Sequence, residues 1–192
     1  MTDLDSLLSD LTSGDDELAE KAALAIQGYG QNAVTKLSQL ITDPDPDIRW
    51  WAVRALAEFY DGNTTDLIIN TLGDDDQDVK QCALLAMRNR PDSNAIPILT
   101  QFLGDEHSLL SRLAVDALIA IGKDATPALL EILEYSDNIA RLASVQALAK
   151  IGDYASVSSL FLQLDSNSAI MDYWANEGLK KMGIGMSFFE PT

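Results

Sequence analysis

Few residues in this chain are of types that do chemistry, and their spacing narrows it further. The single cysteine, Cys82, and the single histidine, His107, stand far apart with no serine–histidine–aspartate or cysteine–histidine pattern around either. No activated nucleophile can be assembled from them. A lone cysteine makes no internal disulfide, which points to a reducing compartment, and His107 reads as a residue at a helix start. The aspartates are the remaining candidates: Asp15-Asp16, Asp43, Asp45 and Asp47, Asp74-Asp75-Asp76, and Asp105-Glu106. A calcium loop needs glycine at its sixth position and glutamate at its twelfth, but Asp47 is followed by Ile48 and then by tryptophans. With no glycine-rich phosphate loop either, the expectation is no catalytic residue, no metal site and no cofactor.

The aspartates make sense as the beginnings of helices. In the stretch Asp43 to Phe59, Ile48, Ala52, Ala55, Leu56 and Phe59 fall on one face at helical spacing, with Asp45 as N-cap and Pro46 at the first helical position. The pattern returns 31 residues later, where Asp76 to Lys80 opens a helix whose Ala83, Ala86 and Met87 match Ala52, Ala55 and Leu56. A period near 30 that persists along the chain identifies a repeat protein, all-α, of about five helical hairpins stacked as an α-solenoid.

In order, the sequence predicts a capping helix at 3–11, repeats at about 15–42, 45–73, 76–104, 107–134 and 137–165, a final unpaired helix at 168–182 and an apolar tail at 183–192, all in one domain spanning 1–192. The inward face of repeat one is expected from Leu18, Ala22, Ala25 and Ile26. Repeat three should contain a second helix with Pro97 in its first turn, where proline is tolerated. Tail residues Met186, Phe188 and Phe189 are expected to fold back over the last helix as a cap, the rival reading being an aromatic hook for a partner.

Thirty acidic against thirteen basic residues give a net charge of −17, which repels a phosphate backbone over most of the surface and argues against nucleic acid. No apolar run is long enough to span a bilayer or to serve as a signal peptide, so a cytoplasmic address without membrane is expected.

The block Asp-Ile-Arg-x-x-Ala-x-x-Ala-Leu at Asp47 to Leu56, echoed from Arg141 to Gly152, resembles the HEAT-like repeats of phycobilisome lyases of the E/F type and related cyanobacterial HEAT-repeat adaptors. The resemblance implies a right-handed solenoid whose arginine-bearing helices line the concave side. It also implies that Arg49, Arg141 and Lys80 pair with acidic turns between repeats, although Ser111 and Asp172 interrupt that column. Three kinds of function come with it: chromophore lyases or isomerases that work as paired chains, proteins that bind biliproteins during phycobilisome assembly or turnover, and adaptors that engage iron–sulfur carriers. The related hydroxylases that hold two irons through His-Glu pairs are excluded by the single histidine.

Helical geometry places a second set of columns opposite the buried face. These columns carry Trp50, Arg54, Leu85 and Arg88, then Arg112, Ile119, Leu142 and Tyr173. Aromatic residues and arginines with little lysine are an interface composition. Trp50 is expected to stand exposed with Arg54 stacked on its ring, whereas Trp51, Trp174 and Cys82 share a column that packs between repeats. The expected function is a non-catalytic protein-binding scaffold or adaptor, with a phycobiliprotein, a second chain of the same kind or an iron–sulfur carrier as partner. The alternative is a subunit of a bilin lyase in which Trp50, Tyr173 and the arginines clasp the tetrapyrrole.

Overall fold

The computed structural model describes residues 3–105, 108–164 and 168–184, and every regular element among them is helical. Its contacts divide the chain into two compact units, Met1–Ile98 and Leu99–Thr192. The first contains α1 (Leu4–Leu11), α2 (Asp16–Ala25), α3 (Gln31–Leu40), α4 (Pro46–Leu56), α5 (Gly62–Thr71) and α6 (Gln77–Asn89), and the division falls in the short α7 (Ile96–Leu99). The second contains α8 (Ser108–Ile121), α9 (Thr126–Tyr135), α10 (Asn138–Ile151), α11 (Val157–Gln163) and α12 (Ala169–Lys181).

Helices α2, α4, α6 and α10 each begin at an aspartate that satisfies amides with no partner inside the helix. Asp15 accepts from the Glu17 and Leu18 amides, Asp45 from Asp47, Asp76 from Asp78 and Val79, and Asp137 from Ile139 and Ala140, all between 2.8 and 3.1 Å. Pro46 occupies the first helical position of α4, where its missing N–H costs nothing. At the other end of α10, Gly152 takes the left-handed conformation, φ 72°, that favours glycine, and closes the helix through its amide to the Leu148 carbonyl.

In the first unit α2, α4 and α6 lie side by side in one layer, with α3 and α5 packed behind them. In the second, α8, α10 and α12 form the corresponding layer, with α9 and α11 behind. The core lies between the layers: Ile26, Leu37, Leu56, Ile68, Leu72, Leu84 and Met87 in the first unit, and Leu103, Leu110, Leu118, Leu129, Leu148 and Leu160 in the second, all 2% exposed or less. Burial of a leucine-sized side chain is worth roughly 1.5–3 kcal/mol, so these layers supply most of the drive to fold.

Two expectations need correction here. In α2 the inward face is Ala19, Ala22 and Ala23, continued by Ile26, while Leu18 is 43% exposed and Ala25 is also outside. The cap at Asp15 fixes where the helix begins, and small alanines face the core of the unit while Leu18 and Leu24 are left outward. The second helix of repeat three is not continuous either: Ser93–Ala95 and Thr100–Gly104 are 3₁₀ turns on either side of α7, which contains Pro97. His107, Met186, Phe188 and Phe189 lie outside the described residues. Ahead of them α12 is closed by Gly183 at φ 74°, by the Ile184 amide on the Leu179 carbonyl (2.9 Å) and by the Tyr154 hydroxyl donating to the Met182 carbonyl (2.8 Å).

Candidate binding site

Because α2, α4 and α6 are all capped at equivalent positions, residues at a fixed distance from each cap line up across the layer. Five residues past the caps stand Glu20, Trp50 and Gln81; nine residues past them stand Leu24, Arg54 and Leu85. Two adjoining hollows open along this face and share Trp50, Cys82 and Leu85. One, about 600 Å³, lies toward the helix starts and is bordered by Asp16, Asp47 and Asp78. The other, about 450 Å³, lies toward the helix ends and is bordered by Tyr60, Arg88 and Arg90.

Trp50 is half-buried rather than exposed: its ring meets that of Trp51 edge-on, centroids 4.7 Å apart at 81°, so one indole is braced by the other. Arg54 does not stack on it. Its guanidinium pairs with Glu20 at 2.5 Å and with Glu58, one turn ahead on the chain. Burial works against the Arg54 charge, but the hydrogen bonds it donates to Glu58 and Glu20 outweigh that and hold its pKa above the usual value. Leu85, at 39%, and Arg88 are exposed, and Leu24 of the neighbouring helix stands out as well.

Arg90, which the sequence columns missed, is the most enclosed charge on this face. It follows α6 directly and donates to the Leu56 carbonyl (3.1 Å), the Thr64 and Thr65 hydroxyls (3.2 and 3.1 Å) and the Asp61 carbonyl (3.5 Å). The Tyr60 ring covers it at 5.1 Å. Desolvation by burial lowers its pKa, against the pull of Tyr60, Asp61 and Glu58. The only signal in the sequence is an arginine placed between a helix end and Pro91.

Cys82 is buried, and its thiol points at the Trp50 carbonyl, 3.8 Å away. Burial pushes its pKa up to about 12, with Arg54 pulling down and Glu20 pushing up. At pH 8 such a thiol is thiolate in roughly one molecule in ten thousand. Alkylation by iodoacetamide is therefore expected to track unfolding: no modification of the native protein over hours, stoichiometric modification in urea. Rapid labelling of the native state would contradict the buried placement.

At the edge of this layer Arg49 grips Asp74 through two hydrogen bonds of 2.8 and 2.7 Å and also donates to the Asp43 and Pro44 carbonyls. It thus staples two successive turns. Burial raises the pKa of Asp74, but Arg49 and the Asp76 amide outweigh it, and the net shift is downward. A carboxylate whose folded pKa is depressed contributes stability above its unfolded pKa, about 3.9, and loses it as pH falls through the folded value. Arg49→Ala is expected to cost ~2 kcal/mol at pH 7 and much less below pH 3, the gap between wild type and variant closing as the solution is acidified. A gap that does not change with pH would show that the pair is not what the substitution removes. Lys80 adds a weaker pull on Asp74. Arg141 reaches Gln163 at 3.2 Å; Asp165 lies outside the described residues.

In the second unit the same columns carry different chemistry. Near the starts of α8, α10 and α12, at the repeat positions where the first unit has Glu17, Asp47 and Asp78, stand Leu109, Ile139 and Ile170, all exposed. Three residues further on stand Arg112, Leu142 and Tyr173, and Tyr173 is 56% exposed with its ring edge-on to Trp174 at 5.2 Å. A hollow of about 390 Å³ between α8 and α10 is lined by Arg112, Val115, Ile139 and Leu142. Ile119 is half-buried, and Ala149, in line with it, is buried against α12. Behind this layer Tyr135 and Leu162, both exposed, flank a further hollow between α9 and α11 that the sequence columns did not pick out.

Among the described residues no group of three or more histidine, cysteine, aspartate or glutamate side chains is arranged to hold a metal ion, and no helix is long and apolar enough to cross a membrane.

Comparison with known proteins agrees with this architecture. Among solved structures, the chain is similar to an engineered protein (22% identity, 96% of this chain and 98% of that one, TM-score 0.57) and to the complex of CpcE and CpcF of phycocyanin lyase from Nostoc sp. PCC7120 (23% identity, 95% and 78%, TM-score 0.55). It is also similar to a designed armadillo repeat protein in complex with the peptide (KR)4 (16% identity, 94% and 99%, TM-score 0.53). At these identities the likeness is one of fold. A sequence search of curated proteins finds no match. The profile of the HEAT repeats matches residues 4–67 and 65–149, well over half of the chain, and with paired helices recurring at the same period in both units, the chain belongs to the HEAT-repeat family.

Proposed function

We propose that this chain is a non-catalytic protein-binding scaffold whose contact surface is the outward face of α2, α4 and α6 in the first unit and of α8, α10 and α12 in the second. The observation that carries the reading is the composition of that face. A layer that buries alanine and leucine inside leaves Leu85 and Arg88 exposed beside a half-buried Trp50 in one unit, and Arg112 and Tyr173 exposed beside a half-buried Leu142 in the other. Aromatic residues and arginine, flanked by apolar side chains around a hollow, are what binding energy concentrates on. The fold supports it too, since repeat solenoids of this kind typically serve as protein-binding scaffolds. From the resemblance to the phycobilisome lyase group come the partners to try first: a phycobiliprotein, a second HEAT-like chain and an iron–sulfur carrier.

Trp50→Ala and Tyr173→Ala are expected to keep helicity and melting close to wild type, while each weakens capture of a partner from an extract of the source cell by ~2 kcal/mol or about thirtyfold. Capture unchanged in both variants would overturn the assignment of this face. The similarity to the CpcE–CpcF complex supports a second reading, a subunit of a bilin lyase. Mixing the purified protein with free bilin separates the two: a shifted and sharpened absorption band supports the lyase reading, and an unchanged spectrum supports the scaffold.

A further inference from the structure

The hollows of the first unit form one groove with two electrical poles. At the helix starts Asp47 and Asp78 are exposed, and no lysine or arginine borders that hollow. At the helix ends the exposed Arg88 makes no ion pair among the described residues, and Tyr60 borders the same hollow. Trp50 and Leu85 provide an apolar floor common to both hollows. The acids alone would be ordinary first-turn residues that complement the helix dipole. What sets this surface apart is that the opposite sign stands at the far end of the same apolar floor.

We propose that this groove binds an extended segment of a partner protein that carries a lysine or arginine at one end, a carboxylate at the other and apolar side chains between, in one fixed direction. The proposal rests on the scaffold reading and specifies the chemistry of its occupant. Asp78 and Arg88 are ten residues apart on α6, and at 1.5 Å per residue the two poles are ~15 Å apart. An extended chain rises ~3.3 Å per residue, so about four or five residues connect the poles. A helical segment of four or five residues rises only ~6–8 Å and leaves one pole unreached, which favours an extended chain along the furrow between α4 and α6. An extended segment lies within it, its cation facing Asp47 and Asp78 with the Trp50 ring nearby, and its carboxylate facing Arg88. Docked the other way round, it would set like charges against each other at both ends, which is how the direction is fixed.

The test is selection of a displayed random dodecapeptide library on the intact protein, with Trp50→Ala as the control surface. Selected peptides are expected to share a basic and an acidic residue about four or five positions apart, with aliphatic or aromatic residues between them. A synthetic peptide of the selected consensus, followed by fluorescence anisotropy, should bind Arg88→Glu roughly tenfold more weakly, and replacing the peptide's carboxylate with lysine should restore most of that loss. Selected peptides that lack the charge pair, or binding indifferent to Arg88→Glu, would overturn the proposal. So would no enrichment over Trp50→Ala. If enrichment fails while capture from the extract still depends on Trp50, the scaffold reading stands and only the bipolar occupant falls.

Discussion

A Gly178→Ala variant is expected to lose about 3 kcal/mol of stability or more, the largest effect of any glycine-to-alanine change among the described residues. Gly178 lies inside α12 and faces α10. A Cβ built there stands 2.8 Å from the Ala149 Cα, 2.9 Å from the Ala149 Cβ and 3.0 Å from a Leu160 methyl. Two of those three atoms belong to an alanine on a helix, which has no rotamer to change, so relief requires moving α12 away from α10. Helix propensity works in the opposite direction: alanine in a helix interior is favoured over glycine by ~1 kcal/mol. The predicted sign therefore depends wholly on the contact. Urea denaturation followed by circular dichroism measures it, with Gly62→Ala as the control, because a Cβ at that helical position meets nothing within 4 Å. Gly62→Ala should be neutral or slightly stabilising. If Gly178→Ala behaves the same way, α10 and α12 do not pack as closely as described.

The second large effect is expected at Arg90. Its guanidinium is the common partner of two main-chain carbonyls and two threonine hydroxyls from the end of α4 and the start of α5, and it is 8% exposed. Arg90→Met keeps much of the apolar stem and removes every donor, so the Thr64 and Thr65 hydroxyl oxygens lose the guanidinium while the Leu56 and Asp61 carbonyls keep only their bonds to donors of their own turns, the Phe59 and Thr65 amides among them. Each such loss costs on the order of 1–3 kcal/mol, and part is recovered by hydroxyls that turn and by water that enters, so a total near 3 kcal/mol is expected. Arg90→Lys should fall between methionine and wild type, since an ammonium keeps the charge but cannot span the set of acceptors that the planar guanidinium reaches. Hydrogen exchange at the amides of Thr64 and Thr65 should quicken in the same order. A methionine variant as stable as wild type would mean that the acceptors find other partners at no cost.

What was legible in the sequence, and what was not, follows from the range of the forces involved. Asp45 and Asp76 act on amides two or three residues away and Pro46 on its own backbone, so their spacing shows in the sequence as clearly as in the folded chain. The repeat period, and with it the all-helical class, comes from the same local signals. The rotation of α2 was not legible because alanines surround it and its only leucines inside the helix, Leu18 and Leu24, both point outward. Arg54 was misplaced for a different reason. Four-residue spacing suggested the Trp50 ring, but the competing Glu20 sits 34 residues away in the chain and becomes a neighbour only when α2 packs beside α4. Charge outbids stacking when both are in reach, because a paired guanidinium gains more than one over a ring. Arg90 combines both difficulties, since its acceptors lie 25 to 34 residues back and none is an acidic side chain. The reversal along the groove was visible only in part. The acids at the helix starts were plain, but their relation to Arg88 needed the helices laid side by side.

The edge-on meeting of Trp50 and Trp51 has an optical consequence. Two indoles with centroids 4.7 Å apart and planes at 81° are close enough for their transitions to couple, and a chiral arrangement of coupled transitions gives a paired positive and negative band in ultraviolet circular dichroism. Any molecule that settles on Trp50 and tilts its ring changes the size or sign of that band. Occupancy of the groove can therefore be read from the unlabelled protein, and a Trp51→Phe variant, which abolishes the coupling, identifies the signal as belonging to this pair and not to Trp174.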